Sequence, residues 1–131
     1  MRSLIAGLAI LLMSLPAAAA GFADYNGQEL FMRFCASCHG ADGMGEGPVA
    51  DAVATTVPDL TRLARRNDGK LDEEKLSEII DGRSVVIAHG TRFMPVWGYE
   101  FWVEEGADRE AEAEVRQIID RLIDYLRALQ R

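Results

Sequence analysis

Two cysteines and a histidine constrain this chain most, because they fall together in the segment Cys35-Ala36-Ser37-Cys38-His39. The chain has 2 cysteines in all, so no disulfide framework can organise its fold. A bridge between two residues so close in sequence would close almost no chain and would stabilise little. Residues three apart on a helix project from the same side. Cys35 and Cys38 can therefore both bond to one planar group, with His39 beside them.

The spacing Cys-x-x-Cys-His is the attachment signal of a c-type haem. The two sulfurs can form thioethers at the vinyl-bearing edges of one porphyrin, and the imidazole of His39 can reach the iron. The motif thus predicts one haem c, held by Cys35 and Cys38. A thioredoxin-like thiol site is the weaker alternative, because it expects alternating strands and helices. A zinc site would need His89 as well, and adjacent Cys38 and His39 point in different directions.

The first 20 residues have the composition of a secretory signal peptide. Arg2 gives a positive start, residues 4–15 are largely apolar, and a proline followed by alanines supplies a cleavage site. The apolar run is shorter than the roughly 20 residues that a membrane anchor needs. We expect cleavage after Ala20 or Ala23, export to the periplasm, and no membrane span in the mature domain, residues 21–131.

Three amphipathic segments organise the mature chain, and no strand-length alternating run is present. In the first, Asn26 can cap a helix whose third position is Glu29, which is a capping-box arrangement. The second covers residues 72–81, and the third covers about residues 107–130, with Asp108 as the expected cap. The sequence therefore predicts an all-α domain of three main helices and short turns.

The second axial ligand of the iron separates an electron carrier from a haem that binds small molecules. Met32 and Met44 lie too close to His39 along the chain to cross the ring, whereas Met94 follows after a helix and two loops. Thioether and imidazole together raise the reduction potential, because the soft sulfur favours ferrous iron. Met94 is the predicted ligand. His89 is an alternative, although a loop histidine bonded to backbone or to a propionate is the simpler interpretation.

Several separate motifs point to one family of haem proteins. They are Gly27, Phe31 and Tyr125 at a helix crossing, Cys35-Ala36-Ser37-Cys38-His39-Gly40, Gly45-Glu46-Gly47-Pro48, Pro58-Asp59-Leu60, and Met94-Pro95-Val96-Trp97-Gly98. Over residues 27–129 the chain resembles the monohaem class I cytochromes c of the bacterial periplasm. The resemblance implies helices around one covalent haem with His39 and Met94 as axial ligands. It also implies that the Pro48 carbonyl accepts a hydrogen bond from His39 Nδ1 and so orients the ring.

Charge favours protein partners over nucleic acid. The net charge of -7 does not suit phosphate binding, so we expect redox proteins with a basic docking face and no nucleic acid. Arg92, beside the expected ligand loop, is the preferred partner of a haem propionate, ahead of Arg62 and Arg83. Residues 100–106 depart from the family pattern by lengthening the link to the last helix, and the sequence gives them no role.

These observations predict a periplasmic electron carrier rather than an enzyme. With His39 and Met94 in both axial positions, no substrate reaches the iron, and electrons pass through the exposed porphyrin edge to a protein partner. Two alternatives stay open. The chain could be a fixed haem subunit of a larger respiratory dehydrogenase or oxidase, or a small-molecule-binding sensor or enzyme with a displaceable Met94.

Overall fold

The computed structural model describes residues 21–83 and 94–131. Its α-helices are α1 (Gly27–Phe34), α2 (Ala36–His39), α3 (Glu73–Asp81), α4 (Trp97–Glu104) and α5 (Ala111–Ala128), and short 3-10 turns lie between some of them. The described residues contain no strand, and the predicted all-α fold is confirmed. Within the same two ranges, no helix is long and apolar enough to cross a membrane. The predicted signal segment, His89 and Arg92 lie outside the described residues.

α1 begins, and α3 both begins and ends, where the sequence predicts. Asn26 Oδ1 accepts a hydrogen bond from the Glu29 N–H at 3.0 Å, and Glu29 Oε2 accepts one from the Asn26 N–H at 2.8 Å. This capping box satisfies two backbone donors at the start of α1. At α3, Asp72 Oδ1 accepts from the Lys75 N–H at 3.1 Å, and Gly82 ends the helix at a left-handed φ of 69°.

The last helix begins later than predicted, at Ala111 rather than near residue 107. Gly106 and Ala107 have φ values of 110° and 57°, and neither value continues into a right-handed helix. Asp108 does accept a hydrogen bond from the Ala111 N–H at 2.9 Å, so it caps the turn that leads into α5. Its carbonyl oxygen also accepts from Trp102 Nε1 at 2.9 Å, which ties α4 to the start of α5.

α4 adds a helix where the sequence indicates only an aromatic cluster and a link. The segment is apolar nearly all round and rich in aromatic residues, so it lacks a 3.6-residue period and has modest helix propensity. Packing stabilises it instead, because Phe101 is fully buried while Tyr99 and Val103 stay exposed. Residues 100–106 therefore form most of α4 and the turn into α5.

α5 is the central element of the core and packs against α1, α3 and α4. Its buried residues are Ala111, Val115, Ile118, Ile119, Leu122, Ile123 and Leu126. At the crossing with α1, a Cβ on Gly27 would overlap the Arg121 carbonyl oxygen and lie 2.9 Å from Tyr125 Cβ. The Phe31 and Tyr125 rings meet beside it at 5.2 Å. Glycine is therefore what lets the two helices approach.

Replacing Gly27 with alanine should force α1 away from α5. We expect Gly27→Ala to lower the free energy of unfolding of the haem-loaded protein by about 2 kcal/mol, as overpacked cores do. Guanidinium denaturation followed by circular dichroism measures the change. Gln28→Ala is the control, because Gln28 is exposed on the same helix. Helix propensity alone favours alanine over glycine, so a Gly27→Ala protein as stable as the parent would contradict the close approach.

Candidate functional site

One cavity of about 310 Å³ gathers the residues of the attachment motif. Cys35, Cys38, His39 and Met94 all line it, although Met94 comes from a distant part of the sequence. The rest of the lining is mostly apolar and is contributed by Phe34, Ser37, Val53, Thr55, Thr56, Val57, Pro58, Pro95 and Trp97. An apolar wall with a few convergent donors suits a large, flat, hydrophobic group with a metal at its centre.

The attachment motif is held by the backbone at the junction of α1 and α2. The Cys35 N–H donates to the Phe31 carbonyl oxygen at 2.9 Å, and the Cys35 carbonyl accepts from the His39 N–H at 2.9 Å. Gly40, with a φ of 79°, ends α2 directly after His39. Cys35 and Cys38 are not joined in a disulfide. Both sulfurs are therefore available for covalent bonds on the cavity side.

His39 is oriented by the backbone of a loop. Its Nδ1 lies 3.3 Å from the Pro58 carbonyl oxygen. A carbonyl can only accept, so Nδ1 carries the proton and Nε2 keeps its lone pair for a metal. Burial lowers the pKa of His39, and the hydrogen bond to Pro58 opposes this in part. A neutral imidazole with one free nitrogen is the form that ligates iron.

The expectation that Pro48 supplies this hydrogen-bond acceptor is wrong, because the acceptor is Pro58. The loop around Pro48 packs against the backbone of α2 instead, where the Gly47 N–H donates to the Cys38 carbonyl oxygen at 3.0 Å. Pro48 itself is exposed. Pro48 and Pro58 both lie in loops that resemble family motifs. Only the path of the chain decides which of the two carbonyl groups meets the His39 ring.

The environment of Cys35 argues against thiol redox chemistry. Burial, and to a smaller extent the neighbouring Cys38, raises the pKa of the Cys35 thiol to about 12. Redox and metal-binding cysteines act as thiolates, and their surroundings lower the pKa. Cys35 has the opposite environment, and the described residues contain no strand to form a thioredoxin-like fold. A thiol used in a covalent bond to a cofactor fits these surroundings.

Met94 reaches the cavity from the residues immediately before α4. It is half-buried and packs against the core, as Trp97 does. The Trp97 ring lies 5.4 Å from the Phe34 ring and stacks on Phe101 at 5.9 Å. These contacts join the start of α4 to the end of α1. Aromatic packing therefore sets where Met94 lies relative to His39.

A charged contact fixes the same end of α4 from another side. Asp81, at the end of α3, accepts hydrogen bonds from Arg83 Nε and Nη2 at 2.9 Å each, and Arg83 Nη1 donates to Glu112 Oε1 at 2.7 Å. A Cβ on Gly98 would lie 2.5 Å from Asp81 Oδ1, so α4 is in close contact with this carboxylate. Arg83, considered above for a propionate, is engaged here. Arg62, the other arginine considered for a propionate, has its Nε 3.4 Å from Asp59 Oδ2.

The helices and the cavity together define a haem-binding domain of the all-α class. A family model described as Cytochrome c matches residues 25–130, so the chain belongs to the cytochrome c family. No curated protein and no solved structure matches the chain significantly. The domain is a class I monohaem cytochrome c, with haem c attached through Cys35 and Cys38 and a haem-based role in electron transfer.

The loop around Pro48 packs so closely against α2 that we expect Gly47 to tolerate no larger side chain. A Cβ on Gly47 would overlap the Ser37 carbonyl oxygen and lie 2.6 Å from the Cys38 carbonyl carbon. We expect Gly47→Ala to lower the free energy of unfolding by about 2 kcal/mol, and to lower the ratio of haem absorbance to protein mass. The neighbouring exposed residue gives the control, Glu46→Ala. Unchanged stability and unchanged haem content would contradict this packing.

Asp81 should make the stability of the protein depend on pH. Its pKa lies below the ordinary value of 3.8, mainly because of the hydrogen bond from the Arg83 side chain. A carboxylate with a lowered folded-state pKa stabilises the fold above its unfolded-state pKa, and this stabilisation is lost as the pH falls through the folded-state value. We expect Asp81→Asn to cost about 1 kcal/mol of unfolding free energy at neutral pH.

Denaturation at several pH values measures this contribution. The stability difference between the parent and Asp81→Asn should shrink once the pH falls below 3.8. Asp120→Asn is the matched control, because Asp120 is an exposed aspartate on α5. A difference that stays constant down to the acid transition would show that the charge of Asp81 does not stabilise the fold.

Proposed function

We propose that this cytochrome c is exported to the periplasm and carries one electron at a time between protein partners. The observation that carries the proposal is that Cys35, Cys38, His39 and Met94 line one apolar cavity. Cys35 and Cys38 would hold the haem covalently, and His39 and Met94 would be its axial ligands. The bound haem supplies the reversible one-electron chemistry of its iron.

The chain contributes orientation, ligand chemistry and exclusion of water. Pro58 holds the proton of His39 on Nδ1 and so presents Nε2 to the metal. The Met94 thioether is a soft ligand that favours ferrous iron and raises the reduction potential. Apolar neighbours such as Phe34 and Trp97 keep water away from the site, which also tunes the potential.

Two further features favour an electron carrier over an enzyme. With His39 and Met94 as ligands, the iron would have no coordination position free for a substrate. The cavity lining includes exposed residues without charge, namely Ser37, Thr55, Thr56, Pro58 and Pro95. A protein partner can approach such a surface without desolvating charges. The net charge of -7 supports partners that present a basic docking face.

The proposal also includes removal of a signal peptide and a contact between Arg92 and a haem propionate, both of which the sequence predicts. Residues 1–20 act as a signal peptide that is removed after Ala20 or Ala23, and residues 21–131 form the exported domain. The composition of the first 20 residues supports this. Arg92 is the proposed partner of a haem propionate, because its sequence position is next to the Met94 loop.

Spectroscopy of the purified haem protein tests ligation by Met94. We expect the oxidised parent to show the weak far-red band of methionine sulfur bound to ferric iron, and the reduced parent to bind carbon monoxide poorly. Met94→Ala should lose the band, bind carbon monoxide, and lower the midpoint potential by at least about 100 mV, since axial ligands set haem potentials over roughly 0.8 V. Met32→Ala is the control, because Met32 is exposed on α1.

Two results would overturn parts of this proposal. A parent protein that lacks the far-red band and binds carbon monoxide readily would exclude Met94 as a firm ligand and would favour a sensor or enzyme. Stable co-purification with another protein at high dilution would favour a fixed subunit of a larger respiratory complex over a diffusing carrier.

A further inference from the structure

Phe22 belongs to the hydrophobic core, although it lies next to the predicted signal segment. Its side chain is 8% exposed. Its ring meets Phe34 at 4.9 Å, Tyr25 at 5.8 Å and Phe101 at 5.9 Å, each in an edge-to-face arrangement. The Arg33 guanidinium lies over the same ring at 5.7 Å. Removing Phe22 would therefore leave a gap between α1 and α4.

The backbone of Phe22 is bound from two directions. Its N–H donates to Glu105 Oε1 at 2.6 Å, and its carbonyl oxygen accepts from Arg121 Nη2 at 3.1 Å. Glu105 immediately follows α4, and Arg121 lies in the middle of α5. Side chains distant in sequence thus hold this first segment of the described chain in place.

Gly21 places the backbone against the same carboxylate. A Cβ on Gly21 would lie 2.5 Å from Glu105 Oε2 and 2.9 Å from Oε1, so a larger residue would displace Glu105. The Gly21 nitrogen is bonded to the same Cα at about 1.46 Å, which puts it within about 5 Å of the carboxylate. A positive charge on that nitrogen would be attracted by the Glu105 carboxylate.

We propose that the leader is cut at the bond between Ala20 and Gly21, and that the new amino terminus of Gly21 forms an ion pair with Glu105. The inference rests on the export proposed above. A signal peptidase hydrolyses the bond with one water molecule. The C–N bond breaks, the water oxygen becomes part of the Ala20 carboxylate, and both water protons end on the Gly21 amine as an ammonium group.

The structure distinguishes the two cleavage sites that the sequence leaves open. Cleavage after Ala23 would remove Phe22, with its ring contacts and both of its backbone hydrogen bonds. Cleavage after Ala20 keeps them all and places a cation beside Glu105. It also gives a role to residues 100–106, because Glu105 becomes the acceptor of the mature amino terminus.

Intact mass and amino-terminal sequencing of the haem protein from the periplasm test the cleavage site. We expect a chain that starts at Gly21 and carries one haem. A start at Asp24 would overturn this inference and leave the proposed export and electron transfer intact. A periplasmic chain that keeps its leader would overturn the inference and the proposed removal of the signal peptide, whereas absence of the haem protein from the periplasm would overturn the export. The far-red band of Met94 ligation is read separately and depends on neither result.

Unfolding of the mature haem protein tests the ion pair. A replacement leader that is cut one residue earlier yields a chain starting at Ala20, in which the Gly21 nitrogen is an uncharged amide. We expect this extension to raise the unfolding equilibrium constant about fivefold, which is the upper end of the range for ion pairs near a protein surface. In the Glu105→Gln protein the same extension should change the constant less than about twofold.

Glu110→Gln is the matched control, because Glu110 is an exposed glutamate whose side chain caps no backbone group. There the extension should keep its full effect. An extension that costs as much in Glu105→Gln as in the parent, or that costs nothing in the parent, would overturn the ion pair.

Discussion

The structure depends on presenting two thiols and an imidazole, close together in sequence, to one side of a single cavity. A helical backbone does this, because residues three apart on a helix, such as Cys35 and Cys38, project from the same side. The hydrogen bonds on both sides of Cys35 keep the junction of α1 and α2 in that form. Pro58 then fixes the remaining freedom, the rotation of the His39 ring. Because a backbone carbonyl rather than a charged side chain orients the His39 ring, the site stays apolar.

The position of Met94 is a consequence of how the helices pack. α5 supplies the buried surface on which α1, α3 and α4 rest. Trp97 joins the start of α4 to the end of α1, and Asp81 joins it to the end of α3. The residues just before α4 are thereby held beside the junction of α1 and α2, where the attachment motif lies. The second candidate ligand is thus placed by the contact of Trp97 with Phe34 in the cavity wall and by the contact of α4 with Asp81, which lies outside the lining.

The same packing gives a role to the first residues of the described chain. Phe22 fills space between α1 and α4, and Arg121 on α5 holds its carbonyl oxygen. Glu105, in the lengthened turn before α5, holds its N–H. Under the proposed cleavage after Ala20, the same few residues would hold the new amino terminus and complete the core. The net charge of -7 suits the proposed exchange of electrons with partners that present a basic face.

Local signals in the sequence determined the attachment motif, the capping box at Asn26, and the ends of α3, because each involves residues within one helical turn. They did not reveal α4, whose apolar residues have no helical period, nor the left-handed Ala107 that delays α5. The tertiary structure alone decided that Pro58 and not Pro48 meets His39, and that Glu105 meets Phe22. Such contacts join distant residues, so they depend on the path of the chain rather than on spacing within it.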